Sequence, residues 1–363
     1  MFIHGGLGNF FLVSDFMLRF SRVLQCKTPK RVDLPWLISQ SGFESTLIWR
    51  QAPKKVLVAK KYNDTRARDA MTLVCNFLRD KGAEVYIDSN DPDKDMFSEY
   101  SRASCGLASS VVDFVICLGG DGTVLRTVGW IGECAEAEAP RVPPVLAIGV
   151  GSLGFLAPFA IADYKQVLDR IMDSNATLPV TLRSRLLCEV FEPNEHSTPK
   201  VSRRVLNECL VARGSHSAFQ QLDCTIDNMR VAQFQADGLI LATPSGSSAY
   251  SMAAGGPLVA PTVPSILLTP VAPHALSARP LVLPASSTIE VHVPRHARSR
   301  PIVSFDGHHE LVLERDSRVR IRQSKSFVPF FRLPDESAAP NADWFVSLRS
   351  KLLWAKEIRK SAL

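Results

Sequence analysis

Residues 114–123 read Phe-Val-Ile-Cys-Leu-Gly-Gly-Asp-Gly-Thr. A short apolar run that stops at three closely spaced glycines constrains the fold more than any other feature of the chain. It is the pattern of a strand buried on both faces that leaves its sheet through a tight loop. Without a Cβ, Gly119, Gly120 and Gly122 let a phosphate lie against backbone N–H groups. Asp121 is the sole charge in the loop. A fixed carboxylate beside phosphate is repulsive unless it takes a proton from an attacking hydroxyl or holds Mg²⁺. The lysine of a P-loop is missing, so the motif is not that one. The same residues also make a plain strand-to-helix turn with no ligand, and the loop alone does not choose between the two.

The surrounding pattern alternates. Residues 56–59 read as a strand and 66–81 as a helix with Ala70, Leu73, Val74, Phe77 and Leu78 at helical spacing, stopped by Gly82. Strands follow at 85–87, 111–118 and 145–148, with a helix over 123–130 and a second glycine loop at 149–155. Strands separated by helices imply parallel crossovers in a doubly wound sheet, with ligands off the carboxyl ends of the strands, where both glycine loops lie. After Thr177 the texture changes to closely spaced β-rich runs at 186–191, 205–212, 222–227, 229–234, 239–242, 288–293, 302–305, 311–313 and 318–322. These predict a mostly antiparallel β domain interrupted by one helix at about 246–255. The fold expected is therefore an α/β N-terminal domain with a parallel sheet plus a mostly antiparallel β C-terminal domain. Its divisions are an extension over 1–50, poorly ordered; an α/β phosphate-binding domain over 51–179; a β-rich domain over 180–325; and a linker and C-terminal helix over 326–363 that packs back on the α/β domain.

Composition narrows the class. The chain has 363 residues, 46% apolar and 21% charged, ordinary for a globular protein of two domains. No apolar stretch approaches the ~18 residues of a membrane span. Residues 1–60 hold nine Lys or Arg against Asp15, Asp33 and Glu44, which accounts for the whole net charge of +6. The body is near neutral, so neither nucleic acid nor membrane is expected as a partner. None of the eight cysteines forms a C-x-x-C pair and several lie in apolar runs, which fits reduced, buried thiols and a cytoplasmic setting. Residues 1–31 fit an organellar presequence or, more simply, an unstructured extension.

At residues 119–123 the chain resembles the NAD kinase family, whose members transfer the γ-phosphate of ATP to the adenosine 2′-hydroxyl of NAD. The same Gly-Gly-Asp-Gly-Thr occurs in diacylglycerol and sphingosine lipid kinases, and a similar loop in phosphofructokinases. Three further segments favour the NAD kinases. Residues 151–156, Gly-Ser-Leu-Gly-Phe-Leu, look like the family's second glycine loop, and Leu206-Asn207-Glu208 like its Asn-Glu motif. Residues 237–280 look like its longest signature, from Asp237-Gly238-Leu239 through Thr243-Pro244-Ser245-Gly246-Ser247-Ser248-Ala249-Tyr250 to Pro273-His274 and Arg279-Pro280. The order and spacing hold across 54–325. Arg183-Ser184-Arg185-Leu186 and Ser304-Phe305-Asp306-Gly307 look like eukaryotic members. The chain departs at Ala272, where the family often has Cys, and at Ser245 and Ser248, where it often has Thr.

The resemblance implies an NAD kinase-like fold of two domains and an ATP-dependent kinase that needs Mg²⁺ or another divalent ion and assembles as a homo-oligomer, a dimer or tetramer. It makes Asp121 the base or a metal-assisted orienter of the hydroxyl, and lines the phosphates with Gly119, Gly120, Gly122 and Thr123. Asn207 and Glu208 would hold the ribose and base of NAD, and Asp237 its amide or ribose. Ser245, Ser248, Ala249, Tyr250, Phe155 and Ala272 complete the expected cofactor-binding set, with Gln235 placed by position alone. Each has an ordinary alternative: N-capping for the serines, core packing for Phe155, an Asp-Gly turn for Asp237. Arg126, one helical turn beyond Gly122, reaches a phosphate or is a surface arginine. His274 fixes local structure, and the tandem His308 and His309 lack metal-ligand spacing. The rival readings are a lipid kinase of the same superfamily and a non-catalytic dinucleotide-binding protein.

Overall fold

Val56, Leu57, Val58 and Ala59 are all buried, so the strand Lys55–Lys60 carries apolar side chains on both faces and lies inside a sheet. In the computed structural model, which describes residues 36–41, 44–103, 112–133, 142–151, 154–195, 197–214, 219–332 and 341–354, this strand pairs in parallel with Glu84–Asp88 on one side and Phe114–Leu118 on the other. Val145–Gly149 continues the parallel sheet beyond Phe114–Leu118, and Ser101–Ala103 lies beyond Glu84–Asp88. The strand order therefore reverses between Lys55–Lys60 and Phe114–Leu118. Such a switch point is where an open parallel sheet holds its ligand, and residues 119–122 leave the sheet there. The preceding helix, Thr65–Asp80, starts on the Asp64 carboxylate, which accepts from the N–H groups of Arg66 and Ala67. It buries Ala67, Ala70, Met71, Val74, Cys75 and Leu78 along one stripe.

The sheet does not end where the sequence suggests. Val145–Gly149 also meets Val328–Phe331, which pairs antiparallel with Thr177–Arg183. Thr177–Arg183 in turn pairs antiparallel with Glu44–Trp49, and that strand with Trp36–Ser41. Three expectations are corrected. Residues 36–49, assigned to an extension, form a hairpin of the first sheet. The boundary at 179 cuts a strand of that sheet. Residues 328–331, assigned to a linker, return to it. The hairpin is held by aromatic packing: the Trp36 and Trp49 rings meet edge to face at 6.0 Å, and the Trp49 ring stands 6.2 Å from Phe114. The Trp49 indole N–H donates to the Ile171 carbonyl at 2.6 Å. Residues 1–35, Ser152 and Leu153 of the second glycine loop, 333–340 and 355–363 lie outside the described residues, as do the readings placed on them.

Residues 186–323 form two antiparallel sheets, each of six strands among the described residues. One carries Leu186–Phe191, Val201–Val205, Gln220–Ile226, Met229–Ala236, Ile289–His292 and Arg318–Gln323; the other carries Glu208–Arg213, Gly238–Ala242, Ser265–Val271, Leu281–Pro284, Pro301–Phe305 and His308–Val312. Alternate residues turn inward, and Cys188, Leu222, Val291 and Ile321 of one sheet share a core with Val211, Leu241, Leu268 and Val303 of the other. The chain crosses between the halves at residues 184–185 and back at 324–327. Arg185, fully buried, donates from Nε to the Ser326 carbonyl and from Nη2 to its hydroxyl, while the Ser324 N–H donates to the Arg185 carbonyl at 2.8 Å. The last described helix, Ala342–Lys351, buries Trp344, and Asn341 just before it donates from Nδ2 to Thr262 Oγ1 at 2.8 Å.

Because the hairpin is built into the sheet, Trp49→Ala removes a buried indole, an edge contact and a hydrogen bond. It should cost ~3–5 kcal/mol of unfolding free energy, read from the denaturant midpoint. Deleting residues 1–40 strips the strand Trp36–Ser41 and should lower stability as well. A deletion as stable as the full chain would remove the hairpin from the fold's core.

Candidate active site

Asp121 opens the helix Asp121–Glu133 at the end of the first glycine loop. Its carboxylate is not free in that loop. Oδ2 accepts from the Phe155 N–H at 3.0 Å and Oδ1 from the Leu156 N–H at 2.9 Å, so one side chain ties the two glycine loops together. The approach explains Gly154, since a Cβ there would fall inside the Asp121 carboxylate. Each oxygen keeps a lone pair beyond the one facing the backbone. Thr123 is buried, with its N–H on the Gly120 carbonyl at 3.0 Å, and Phe155 is half-buried at the mouth of the second loop.

The Asn-Glu pair is built by a third carboxylate. Residues 206–207 form a bend, and only Glu208 starts the strand Glu208–Arg213, so the run expected over 205–212 is broken at Asn207. Asp306 accepts from three consecutive N–H groups, Leu206 at 2.8 Å, Asn207 at 2.7 Å and Glu208 at 3.0 Å. The other side is closed by Thr243, whose Oγ1 donates to the Leu206 carbonyl at 2.5 Å and accepts from the Gly246 N–H at 3.0 Å. A Cβ on Gly246 would strike the Asn207 backbone. Held this way, Asn207 Oδ1 and Glu208 Oε2 are buried acceptors without a partner. Burial, and next the Asp306 charge, push the Glu208 carboxyl up to about 7. Burial also pushes Asp306 up to about 6, against its three N–H donors and His308, which favour the anion. Leu206 shares a core with Leu156 and Val124, which brings this bend against the Asp121 loops.

The serine-rich run is not a long helix. Ser245–Ser248 is a 3-10 turn and Tyr250–Ala253 a single helical turn, so the continuous helix expected over 246–255 does not form. Its N–H groups serve the turn itself: Ser247 donates to Pro244 and Ala249 to Gly246. Positive charge comes instead from Arg183, at the end of strand Thr177–Arg183, whose Nη1 donates to Ser245 Oγ at 3.0 Å. Ser248 Oγ turns back on the Ser245 carbonyl at 3.2 Å, Ala249 is half-buried and Tyr250 is exposed. The structure thus gathers Gly119, Gly120, Asp121, Gly122, Thr123, Phe155, Asn207, Glu208 and Ser245 at the seam of the two halves.

Other expected residues stand apart. Asp237 lies at the far end of strand Gly238–Ala242 from Thr243 and pairs with Arg213 Nε at 3.2 Å. Ala272 is exposed, with a left-handed φ of 43°. The Arg126 guanidinium is half-buried and not a free surface group: Nη2 donates to the Lys60 carbonyl at 2.7 Å, and the group stacks 3.4 Å above the Tyr62 ring. The His274 N–H donates to the Gln235 carbonyl at 2.8 Å, a structural contact. Arg183 and Asp306 were missed as site residues, because in sequence they stand as an arginine in a β-rich run and an Asp-Gly turn. Among the described residues no group of three His, Cys, Asp or Glu can cage a metal. Asp121, with lone pairs to spare, is the residue here that would fit a Mg²⁺ held by phosphate oxygens, water and one or two carboxylates.

The raised Glu208 value sets a pH dependence. A carboxyl that holds its proton in the fold from its ordinary 4.5 up to about 7 stabilises less as pH rises through that window, because the anion must be buried. Glu208→Gln should therefore gain melting temperature relative to the wild type as pH rises from about 4.5 to about 7. A constant difference across that range would mean that Glu208 is ionised throughout.

The described chain has relatives. The family model for the ATP-NAD kinase N-terminal domain matches residues 56–176, and that for the ATP-NAD kinase C-terminal domain matches 206–333. A probable chloroplastic NAD kinase 2 of Oryza sativa subsp. japonica is 37% identical over 333 residues, covering 88% of this chain and 32% of the relative. The mitochondrial NADH kinase POS5 of Saccharomyces cerevisiae is 33% identical over 276 residues, covering 71% of this chain and 64% of the relative. This chain thus spans about a third of the plant relative's length. A crystal structure of yeast NADH kinase complexed with NADH superposes with a TM-score of 0.80 at 27% identity, covering 90% of this chain and 96% of that one. With both halves of the fold matched in order, and Asp121, Asn207 and Ser245 brought to one seam, the chain belongs to the NAD kinase family.

Proposed function

We propose that the protein is an ATP-dependent NAD kinase that transfers the γ-phosphate of ATP to the 2′-hydroxyl of the adenosine ribose of NAD, giving NADP and ADP. The observation that carries the reading is the pair of unpartnered buried acceptors, Asn207 Oδ1 and Glu208 Oε2, set against the loop of Asp121. Such acceptors call for donors, and ribose hydroxyls and the adenine amine supply them. The backbone of residues 119–123 cradles the donor phosphates. Asp121, oriented by Phe155 and Leu156, takes the proton of the 2′-hydroxyl as its oxygen attacks the γ-phosphorus and the bond to ADP breaks. Mg²⁺, bound on the phosphates, would offset their charge.

Asp237 fits the distal end of the dinucleotide. The five residues of Gly238–Ala242, at ~3.3 Å each, separate it from Thr243 by a distance that an extended dinucleotide spans. Assembly into a homo-oligomer is supported by the sheet edges: Leu281–Pro284 and Met229–Ala236 each end a sheet and expose Leu281, Val282, Met229 and Val231. No described helix is long and apolar enough to cross a membrane. A cytoplasmic setting is supported by the free, buried Cys75, Cys117, Cys188, Cys209 and Cys224, which a reducing organelle would keep equally; the named relatives include chloroplastic and mitochondrial proteins.

The test is incubation with ATP, Mg²⁺ and either NAD or diacylglycerol, with NADP read by an NADP-specific coupled dehydrogenase. NADP must form, and lipid phosphorylation without NADP would reverse the reading. Asp121→Asn should lower turnover by ~10²–10⁴-fold at every Mg²⁺ concentration and leave the binding of ATP and NAD little changed. Its amide N–H₂ would also face a backbone N–H, so the variant should lose ~1–2 kcal/mol of stability. A variant that keeps more than about a tenth of wild-type turnover would assign the base elsewhere. Asp237→Ala should weaken NAD by ~1.5–3 kcal/mol and leave the Michaelis constant of ATP unchanged. A change in ATP alone would remove Asp237 from the NAD site.

A further inference from the structure

Arg183 is 3% exposed, yet it has no carboxylate partner. Its Nη1 donates to Ser245 Oγ, its guanidinium carbon lies 5.2 Å from the centre of the Phe330 ring, and its Nε is buried with no acceptor. The carboxylates of Asp343 and Asp121 act on its charge, and neither is in ion-pair contact with it. Two other buried cations are more fully engaged. Lys60, equally buried, sits between Asp91 at 2.9 Å and Asp93 at 2.8 Å. Arg185 gives two of its donor nitrogens to Ser326 and knits the crossover. Arg183 does neither, and an unpaired guanidinium in the interior is costly.

Its place gives the reason. Arg183 belongs to the first sheet, touches the serine turn of the second half, and feels the charge of Asp121. The turn opens to solvent just beyond Ser245, through half-buried Ser248 and Ala249 to Tyr250 at 42% exposure. We propose that Arg183 is kept unpaired to receive a phosphate group of the bound nucleotides, so that the ion pair is completed by substrate and closes the seam between the Asp121 loops and the Ser245 turn. This rests on the kinase reading above. A guanidinium offers five N–H donors in a planar fork that matches two phosphate oxygens, and Ser245 occupies a single one. Placed between Asp121 and an incoming phosphate, the cation also offsets the repulsion that a carboxylate beside phosphate would otherwise impose.

The experiment uses the full chain with Arg183→Met and Arg183→Lys. Melting is measured without ligand, with ATP and Mg²⁺, and with NAD separately, and NADP formation is measured in parallel. Methionine removes a buried unpaired charge and keeps the aliphatic volume, so the ligand-free Arg183→Met should melt no lower than the wild type. It should lose the ligand-induced rise in melting temperature with at least one substrate, and kcat/KM should fall at least about tenfold. Arg183→Lys, which keeps the charge without the fork, should fall between the two; it carries the test if the methionine variant does not fold. Loss confined to ATP assigns the donor phosphates, loss confined to NAD the diphosphate bridge, and either supports the proposal. Variants that keep both ligand-induced shifts and turnover within about twofold would overturn it, well below the loss of a charge-assisted contact. A wild type that makes no NADP would defeat the kinase reading and leave the melting shifts to judge Arg183.

Discussion

The Asp306 carboxylate accepts three consecutive backbone N–H groups, those of Leu206, Asn207 and Glu208, and the site is arranged around that contact. A bend in the backbone leaves N–H groups that a sheet would have paired, and burying them unsatisfied costs ~1–3 kcal/mol each. One charged acceptor removes that cost for all three and fixes the direction in which Asn207 and Glu208 leave the chain. Thr243 and Gly246 close on the same bend from the neighbouring strand, so the serine turn is positioned by the same residues.

Asp121 repeats the device on the other side of the seam. Its carboxylate accepts the N–H groups of Phe155 and Leu156 and draws the second glycine loop onto the first. Both acids thus do structural work through their carboxylate oxygens, and the cost of burying carboxyls at the bend is visible at Asp306 and Glu208, pushed up to about 6 and about 7. A site crowded with acids would repel phosphate unless cations sit within it. Arg183 is buried there without a protein counter-charge, while the other buried cation near the switch point, Lys60, is matched by Asp91 and Asp93.

The parallel half was legible because its strands are buried on both faces. Runs such as Val56 to Ala59 and Val115 to Leu118 have no polar residue to confuse the period, and Gly82 and Gly119 mark their neighbours' ends. The antiparallel extension of that sheet was not legible. The strands Trp36–Ser41 and Glu44–Trp49 are short and mixed in polarity, and Val328–Phe331 is an apolar run of only four residues that contains a proline and lies far in sequence from its partners. Pairing with Thr177–Arg183 places Glu44–Trp49 and Val328–Phe331, and Glu44–Trp49 in turn places Trp36–Ser41. The serine run misled for a local reason: its small residues suit a helix start, but Thr243 and Gly246 turn it onto the Asn207 backbone instead.

The sequence by itself determined the chemistry on offer: a glycine loop with one carboxylate, an Asn-Glu pair and a hydroxyl-rich turn, in an order and spacing that fix the family. Those are local signals, readable because a glycine loop must break a strand and a lone acid beside it needs a task. The tertiary structure decided which residues hold that chemistry in place. Asp306 is 98 to 100 residues from the N–H groups it binds, and Arg183 is 62 residues from Ser245. No period or motif records such a distance, because the interaction exists only once two sheets have packed and excluded the water that would otherwise satisfy each group separately.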